Sequence, residues 1–234
     1  MIVRIPGLLE ARPLAFIRER LATVDWEDGR VTAGPQAAKV KHNDQLTEDH
    51  PLAKELGEVV LVALSRSALF TSAALPLKVF PPMFNRYTGG GHFGAHIDTA
   101  VRLSRQPPHR VRTDLSATLF LADPDSYDGG ELVIGQSDGT GEEIGGQQAI
   151  KLAAGDLLLY PATHLHEVRP VTRGARLASF FWVQSMVRDD DNRRLLYDMD
   201  RALMTLRELH PEGHPALIRL TGTYHNLLRK WSDL

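Results

Sequence analysis

From Leu75 to Gln184 the chain alternates short apolar runs with Gly, Pro and Asp. Runs of four to eight residues between turn residues read as β-strands. The pattern predicts strands over 77–80, 83–87, 93–98, 115–122, 131–134, 149–152, 156–160, 165–169 and 176–184. Their breaks are Pro81-Pro82, Gly89-Gly90-Gly91, Pro107-Pro108, Asp123 to Gly130, Gly145-Gly146, Ala154-Gly155 and Thr172-Arg173-Gly174. Short strands in this number, with turns of this kind, imply a mainly β jelly roll or double-sheet barrel whose mouth can hold a ligand.

Helical spacing flanks that region. Pro13 opens a helix running through Leu21, and Asp49 followed by Pro51 reads as a cap and first turn. Leu52, Leu56, Val59, Val60 and Ala63 then hold helical spacing to about Ser67. After Gln184 the 3.6-residue period returns at Leu195, Leu196, Met199, Leu203 and Leu206, behind Asp189-Asp190-Asp191 at the favourable helix start. A loop at His210–Pro215 precedes a last helix outlined by Leu217, Leu220, Tyr224, Leu227, Leu228 and Trp231. These tail helices either cap the barrel or form a contact between copies in a homo-oligomer. The chain thus divides into an N-terminal helical and loop region (1–75), a β domain (76–184) and a helical tail (185–234).

Composition narrows the function classes. The 234 residues carry a net charge of -2, with 43% hydrophobic and 24% charged side chains, so no polyanion-binding surface is indicated and nucleic acid is not expected as a partner. There is no cysteine, which removes disulfides, thiolate metal sites and Cys nucleophiles. The first residues lack an apolar signal core, and the longest apolar run, around Val59–Leu64, is too short to span a bilayer. A cytoplasmic protein without a membrane partner is the expectation.

The chemistry concentrates at Gly94–Asp98, GAHID. In a strand, residues i and i+2 share a face, so His96 and Asp98 project together. A third ligand is on offer at His164 or His166, which have the same parity. Two His and one carboxylate leave three adjacent positions open, the facial arrangement of non-haem Fe(II) oxygenases. Arg176 follows His166 by ten residues across a turn signal. Were 165–169 and 176–184 an antiparallel hairpin, His166 and Arg176 would face each other. That offset favours His166 as ligand and leaves His164 beside the site. An Arg pointing into an apolar barrel needs an anion, from a protein Asp or Glu or from a bound diacid, and its planar fork suits a carboxylate.

Several other features read as structural. Gly89, Gly91 and Gly94 fit G-x-G-x-x-G, but a strand follows where a dinucleotide site needs a helix. Asp123, Asp125 and Asp128-Gly129 have no closing Glu and read as a turn rather than a calcium loop. Asp156 reads as a turn residue, and His42, His50, His109, His210, His214 and His225 as surface or capping residues. His92 is placed at the pocket rim and Trp182 in the core, with a view of the pocket. A zinc hydrolase could use the same three ligands, but hydrolysis has no need of a diacid slot.

The segments NRYTGGGHFGAHID, YDGGELVI, AGDLLLYPATHLHEV and RPVTRGARLASFFWVQS together resemble the PKHD-type hydroxylases, bacterial Fe(II)- and 2-oxoglutarate-dependent dioxygenases related to prolyl 4-hydroxylase. The resemblance implies a double-stranded β-helix. It implies His96, Asp98 and His166 as iron ligands, Arg176 as the 2-oxoglutarate carboxylate binder and Tyr87 as its hydrogen-bonding partner. It also implies O2 as co-substrate, ascorbate to keep iron reduced, and hydroxylation of a peptidyl proline or lysine or of a small molecule, with release of succinate and CO2. A non-catalytic module sensing iron or 2-oxoglutarate is the competing expectation.

Overall fold

A computed structural model describes residues 1–32, 37–105, 108–135 and 146–234. Two facing sheets and a layer of helices organise the described residues. The larger sheet runs, edge to edge, Val3–Ile5, Leu157–Pro161, Leu115–Phe120, Ala175–Ser185, Met83–Thr88, Asp44–Leu46 and Glu27–Asp28, with Pro76–Val79 also paired to Ala175–Ser185. The smaller runs Gln148–Ile150, Leu132–Ile134, His166–Val168, His92–His96 and Lys41–His42. Every strand pair is antiparallel.

The large sheet is covered on both faces, which is why its central strands read as continuous apolar runs rather than clean alternation. Leu115, Ala117, Leu119, Leu157, Leu159, Phe181 and Val183 point outward against two helices, α1 (Ala11–Ala22) and α2 (Pro51–Arg66), through Ile17, Leu21, Leu56, Val60 and Leu64. The residues between them face the other sheet. There Tyr87, Phe120, Leu158 and Tyr160 pack on Leu132, Ile134 and Val168. Ser116, Arg176 and Trp182 share this inner face, so burial of the outer face sets which side chains enter the gap. A short helix, α3 (Ala68–Ala74), ends in Leu75 at φ 42, and α4 (Asp190–Leu209) and α5 (Pro215–Trp231) close that flank around Val187, Leu196, Tyr224 and Trp231. Among the described residues, no single helix is long and apolar enough to cross a membrane.

Each strand expected from the sequence is present within a few residues of its expected bounds. Four readings need correction. First, 165–169 and 176–184 are not a hairpin. His166 pairs with His96 and Ile134 in the small sheet, whereas Arg176 pairs with Tyr87 in the large one. The chain between them spends Val171–Arg173 on pairing with Asp128–Gly129, crossing from one sheet to the other. Second, the α2 cap is His50, whose Nδ1 accepts from Leu52 N, rather than Asp49. Third, Val101–Arg105 and Pro108–Arg112 form a hairpin that the proline signal concealed. Fourth, Leu195 is turned to solvent while Leu196 is buried. Pro107, Gly145 and part of the polar stretch before Val40 lie outside the described residues. Asp156 does more than shape a turn: it accepts from Arg4 Nε at 2.9 Å and Gly7 N at 2.8 Å, tying the first strand to the sheet.

Candidate metal centre and carboxylate pocket

Two neighbouring strands of the smaller sheet bring His96, Asp98 and His166 together, with one ligand atom from each lying within 4.8 Å of the others. His96 ends its strand, Asp98 lies two residues past it, and His166 begins the strand opposite. Both imidazoles are tied the same way. His96 Nδ1 donates to the Gly94 carbonyl at 2.8 Å, and His166 Nδ1 donates to the His164 carbonyl at 3.0 Å. A carbonyl can only accept, so Nδ1 carries the proton and each Nε2 keeps its lone pair for a metal. Burial, and next the charge of His166, push the His96 imidazole down to about 4, so it stands neutral and ligand-ready at pH 7.

Burial pushes the Asp98 carboxyl up, but His166, His96 and hydrogen bonds from Ser116 and Trp182 outweigh it and hold the group below its usual range. Ser116 Oγ donates to Asp98 Oδ2 at 2.5 Å. Ser116 was not singled out from the sequence, although a hydroxyl in the buried run LSATLF was a signal that could have found it. Removing this hydroxyl frees the carboxylate to rotate. Ser116→Ala is expected to weaken divalent-metal binding roughly 10–100-fold, the range for groups that orient a ligand, as read by calorimetric titration with Co(II) or Fe(II).

The strand reaches this arrangement through a β-bulge. His166 pairs with His96 but Val168 pairs with Phe93, so the His92–His96 strand carries one extra residue. Parity flips across it: Phe93 stacks on His96 at 3.6 Å between centroids, while His92 turns away to pack on His42. His92 is therefore absent from the cavity lining. His164 contributes its carbonyl to the site rather than a ligand nitrogen.

Arg176 lines the same cavity from the opposite sheet and is 1% exposed. Its guanidinium lies 5.3 Å from the Tyr87 ring and 5.4 Å from that of Phe120. Nε and Nη2 find no acceptor, and no carboxylate among the described residues pairs with it. Tyr87 is as deeply buried. Burial raises its phenol to about 12, so it is a protonated donor. Gly130 presses on Arg176: at φ +68, an added Cβ would sit 3.1 Å from Arg176 Cδ and 2.8 Å from Val171 Cγ2. Gly130→Ala is expected to cost on the order of 1–3 kcal/mol of stability through the left-handed backbone and to loosen co-substrate binding, checked by thermal unfolding and titration. Trp182 lines the cavity, and so do Lys41 and Arg102, two cations not singled out from the sequence.

Two imidazoles, a carboxylate and a buried guanidinium thus line one cavity between the sheets. Residues 82–184 match the 2OG-Fe(II) oxygenase superfamily, and residues 190–233 match the PKHD-type hydroxylase C-terminal domain. The chain is 58% identical over 234 residues to the PKHD-type hydroxylase PiuC of Pseudomonas aeruginosa, covering all of both chains. It is 56% identical over 236 residues to a PKHD-type hydroxylase of Xanthomonas campestris, again with full coverage of both. The chain belongs to the PKHD-type hydroxylase family and is a 2-oxoglutarate-dependent hydroxylase. Solved structures share the fold. One is a prolyl-4-hydroxylase of Pseudomonas putida (TM-score 0.50, 21% identity, 79% of this chain and 92% of that one). Another is the carbocyclase SnoK from nogalamycin biosynthesis (TM-score 0.56, 16% identity, 80% of each chain).

Proposed function

We propose that His96, Asp98 and His166 bind one ferrous ion, and that Arg176 and Tyr87 hold the distal carboxylate of 2-oxoglutarate. The donor set fits such an ion: two imidazole nitrogens and one carboxylate oxygen converge, with room left for other ligands. Bound there, iron supplies the oxidising chemistry that couples conversion of 2-oxoglutarate and O2 into succinate and CO2 with hydroxylation of a substrate C–H bond. The side chains bind, orient and exclude water. The backbone carbonyls of Gly94 and His164 keep both Nε2 atoms aimed inward. Ser116 holds the carboxylate. Asn85 Nδ2 donates to the Tyr87 oxygen at 3.4 Å, which leaves the Tyr87 proton for an incoming carboxylate. Phe93, stacked on His96, keeps water from that side.

The observation that carries this reading is the buried Arg176, a cation with two unpartnered N–H groups facing the three ligand residues across one cavity. An uncompensated buried charge is expensive, and a bound carboxylate is what offsets it. In this reading residues 76–184 are the catalytic domain, 1–75 supports it and 185–234 braces it or joins two copies. Ascorbate serves as reductant, and the enzyme works in the cytoplasm on a peptidyl proline or lysine or on a small molecule. The test is anaerobic addition of Fe(II) and then 2-oxoglutarate, watching for a metal-to-ligand charge-transfer band, followed by O2 and succinate measurement. Band and succinate together support an enzyme. A band without substrate-stimulated succinate supports the sensing module instead.

A further inference from the structure

The charges lining the cavity do not balance. Arg102 and Arg176, with Lys41 partly charged beside them, stand against the single carboxylate of Asp98 in the cavity lining. A ferrous ion and a 2-oxoglutarate dianion cancel each other, so loading the site as proposed above leaves that excess in place. Arg176 is then accounted for, whereas Arg102 is not.

Arg102 sits on the hairpin Val101–Arg105 at the lip of the cavity. Strand alternation turns Val101 and Leu103 to solvent, 50% and 61% exposed, and aims Arg102 inward. Its guanidinium stacks over the Trp182 indole at 4.0 Å and lies 5.5 Å from the Phe80 ring. The same indole helps hold the Asp98 carboxyl in its charged form. Arg102 is thus held in place one ring away from the metal-binding carboxylate. No described carboxylate forms an ion pair with it, and Asp98 and Glu48 act on it only through their fields. On the neighbouring wall, the Lys41 ammonium lies 5.2 Å from the Phe93 ring and 5.9 Å from the Phe180 ring and donates to Gln45 Oε1 at 2.7 Å. Burial first, and the charge of Arg102 after it, depress that ammonium to about 7. Two cations that repel each other across an aromatic-lined mouth are a receptor for an anion.

We infer that the substrate to be hydroxylated carries a carboxylate, and that Arg102, stacked on Trp182, is the side chain that binds it. This rests on the iron and 2-oxoglutarate reading and names the substrate class of that site. The guanidinium fork takes the carboxylate, its face staying on the indole, and the body of the substrate lies along Trp182 and Phe180 toward Asp98. Lys41 adds long-range attraction. An acid held this way presents for oxidation a C–H a few bonds from its carboxylate.

The test uses protein loaded anaerobically with Fe(II) and saturating 2-oxoglutarate, so that Arg176 is occupied. Paired probes are titrated in, benzoate against benzamide and N-acetylproline against its primary amide. Binding is read by ligand-observed NMR and by the change in the charge-transfer band. In the wild-type protein each acid is expected to bind roughly 10–100-fold more tightly than its amide, the value of a hydrogen bond to a charged group. Arg102→Gln removes the preference, and Arg102→Lys, which keeps the charge and loses the fork, restores part of it. A hexapeptide with an internal Asp, compared with its Asn counterpart, tells an acidic peptide from a free acid. Equal binding of acid and amide in the wild-type protein, no binding of either, or an acid preference that survives in Arg102→Gln overturns the inference. Absence of the charge-transfer band in the wild-type protein overturns the iron and 2-oxoglutarate reading instead.

Discussion

Asp98→Ala is expected to yield no charge-transfer band when Fe(II) and 2-oxoglutarate are added anaerobically, and succinate formation is expected to fall to background. The carboxylate is the one anionic member of the proposed ligand set, with His166 Nε2 3.6 Å away. Disturbing groups that merely orient a ligand costs 10–100-fold in metal affinity, so deleting the ligand should cost at least about a hundredfold. Equilibrium dialysis against Fe(II) gives the affinity, and circular dichroism confirms that the variant is folded. Wild-type affinity in this variant would remove Asp98 from the proposed ligand set.

The second large effect belongs to Arg176. Truncating one partner of a buried charge pair costs about 2–5 kcal/mol, so Arg176→Met should raise the 2-oxoglutarate Kd by roughly 30- to several-thousand-fold. Stability should respond in the opposite sense. A structural ion pair loses about 3–5 kcal/mol when one partner is removed, whereas an uncompensated buried guanidinium is a burden to the ligand-free fold. Arg176→Met is therefore expected to keep or raise the melting temperature while losing co-substrate affinity. Arg176→Lys should fall between, retaining the charge without the planar fork. A marked drop in melting temperature with normal 2-oxoglutarate affinity would make Arg176 a structural residue.

The strands were legible because their buried faces impose period-two or continuous apolar runs that few other elements tolerate. His96 with Asp98 was legible from spacing, and His166 from its offset to Arg176. That offset does not come from a hairpin: the two residues share a cavity from facing sheets. Strand pairing is a long-range property, and alternation reports faces but not neighbours. The bulge between Phe93 and His96 hid for the same reason: one inserted residue reverses parity without leaving a compositional mark. The hairpin carrying Arg102 was obscured by Pro108, which is tolerated there because it opens an edge strand. Lys41 and Arg102 escaped notice because charged residues are usually read as surface, and only the assembled cavity places them inside.

The two carbonyl-anchored imidazoles have a bearing on how the protein would behave when iron is scarce. Their orientation is set by peptide groups two residues upstream, not by anything that must arrive from outside. Capture of an ion then requires neither a ring flip nor a tautomer change. Loading should then await only the ion's arrival and the loss of its water, with no unfolding step.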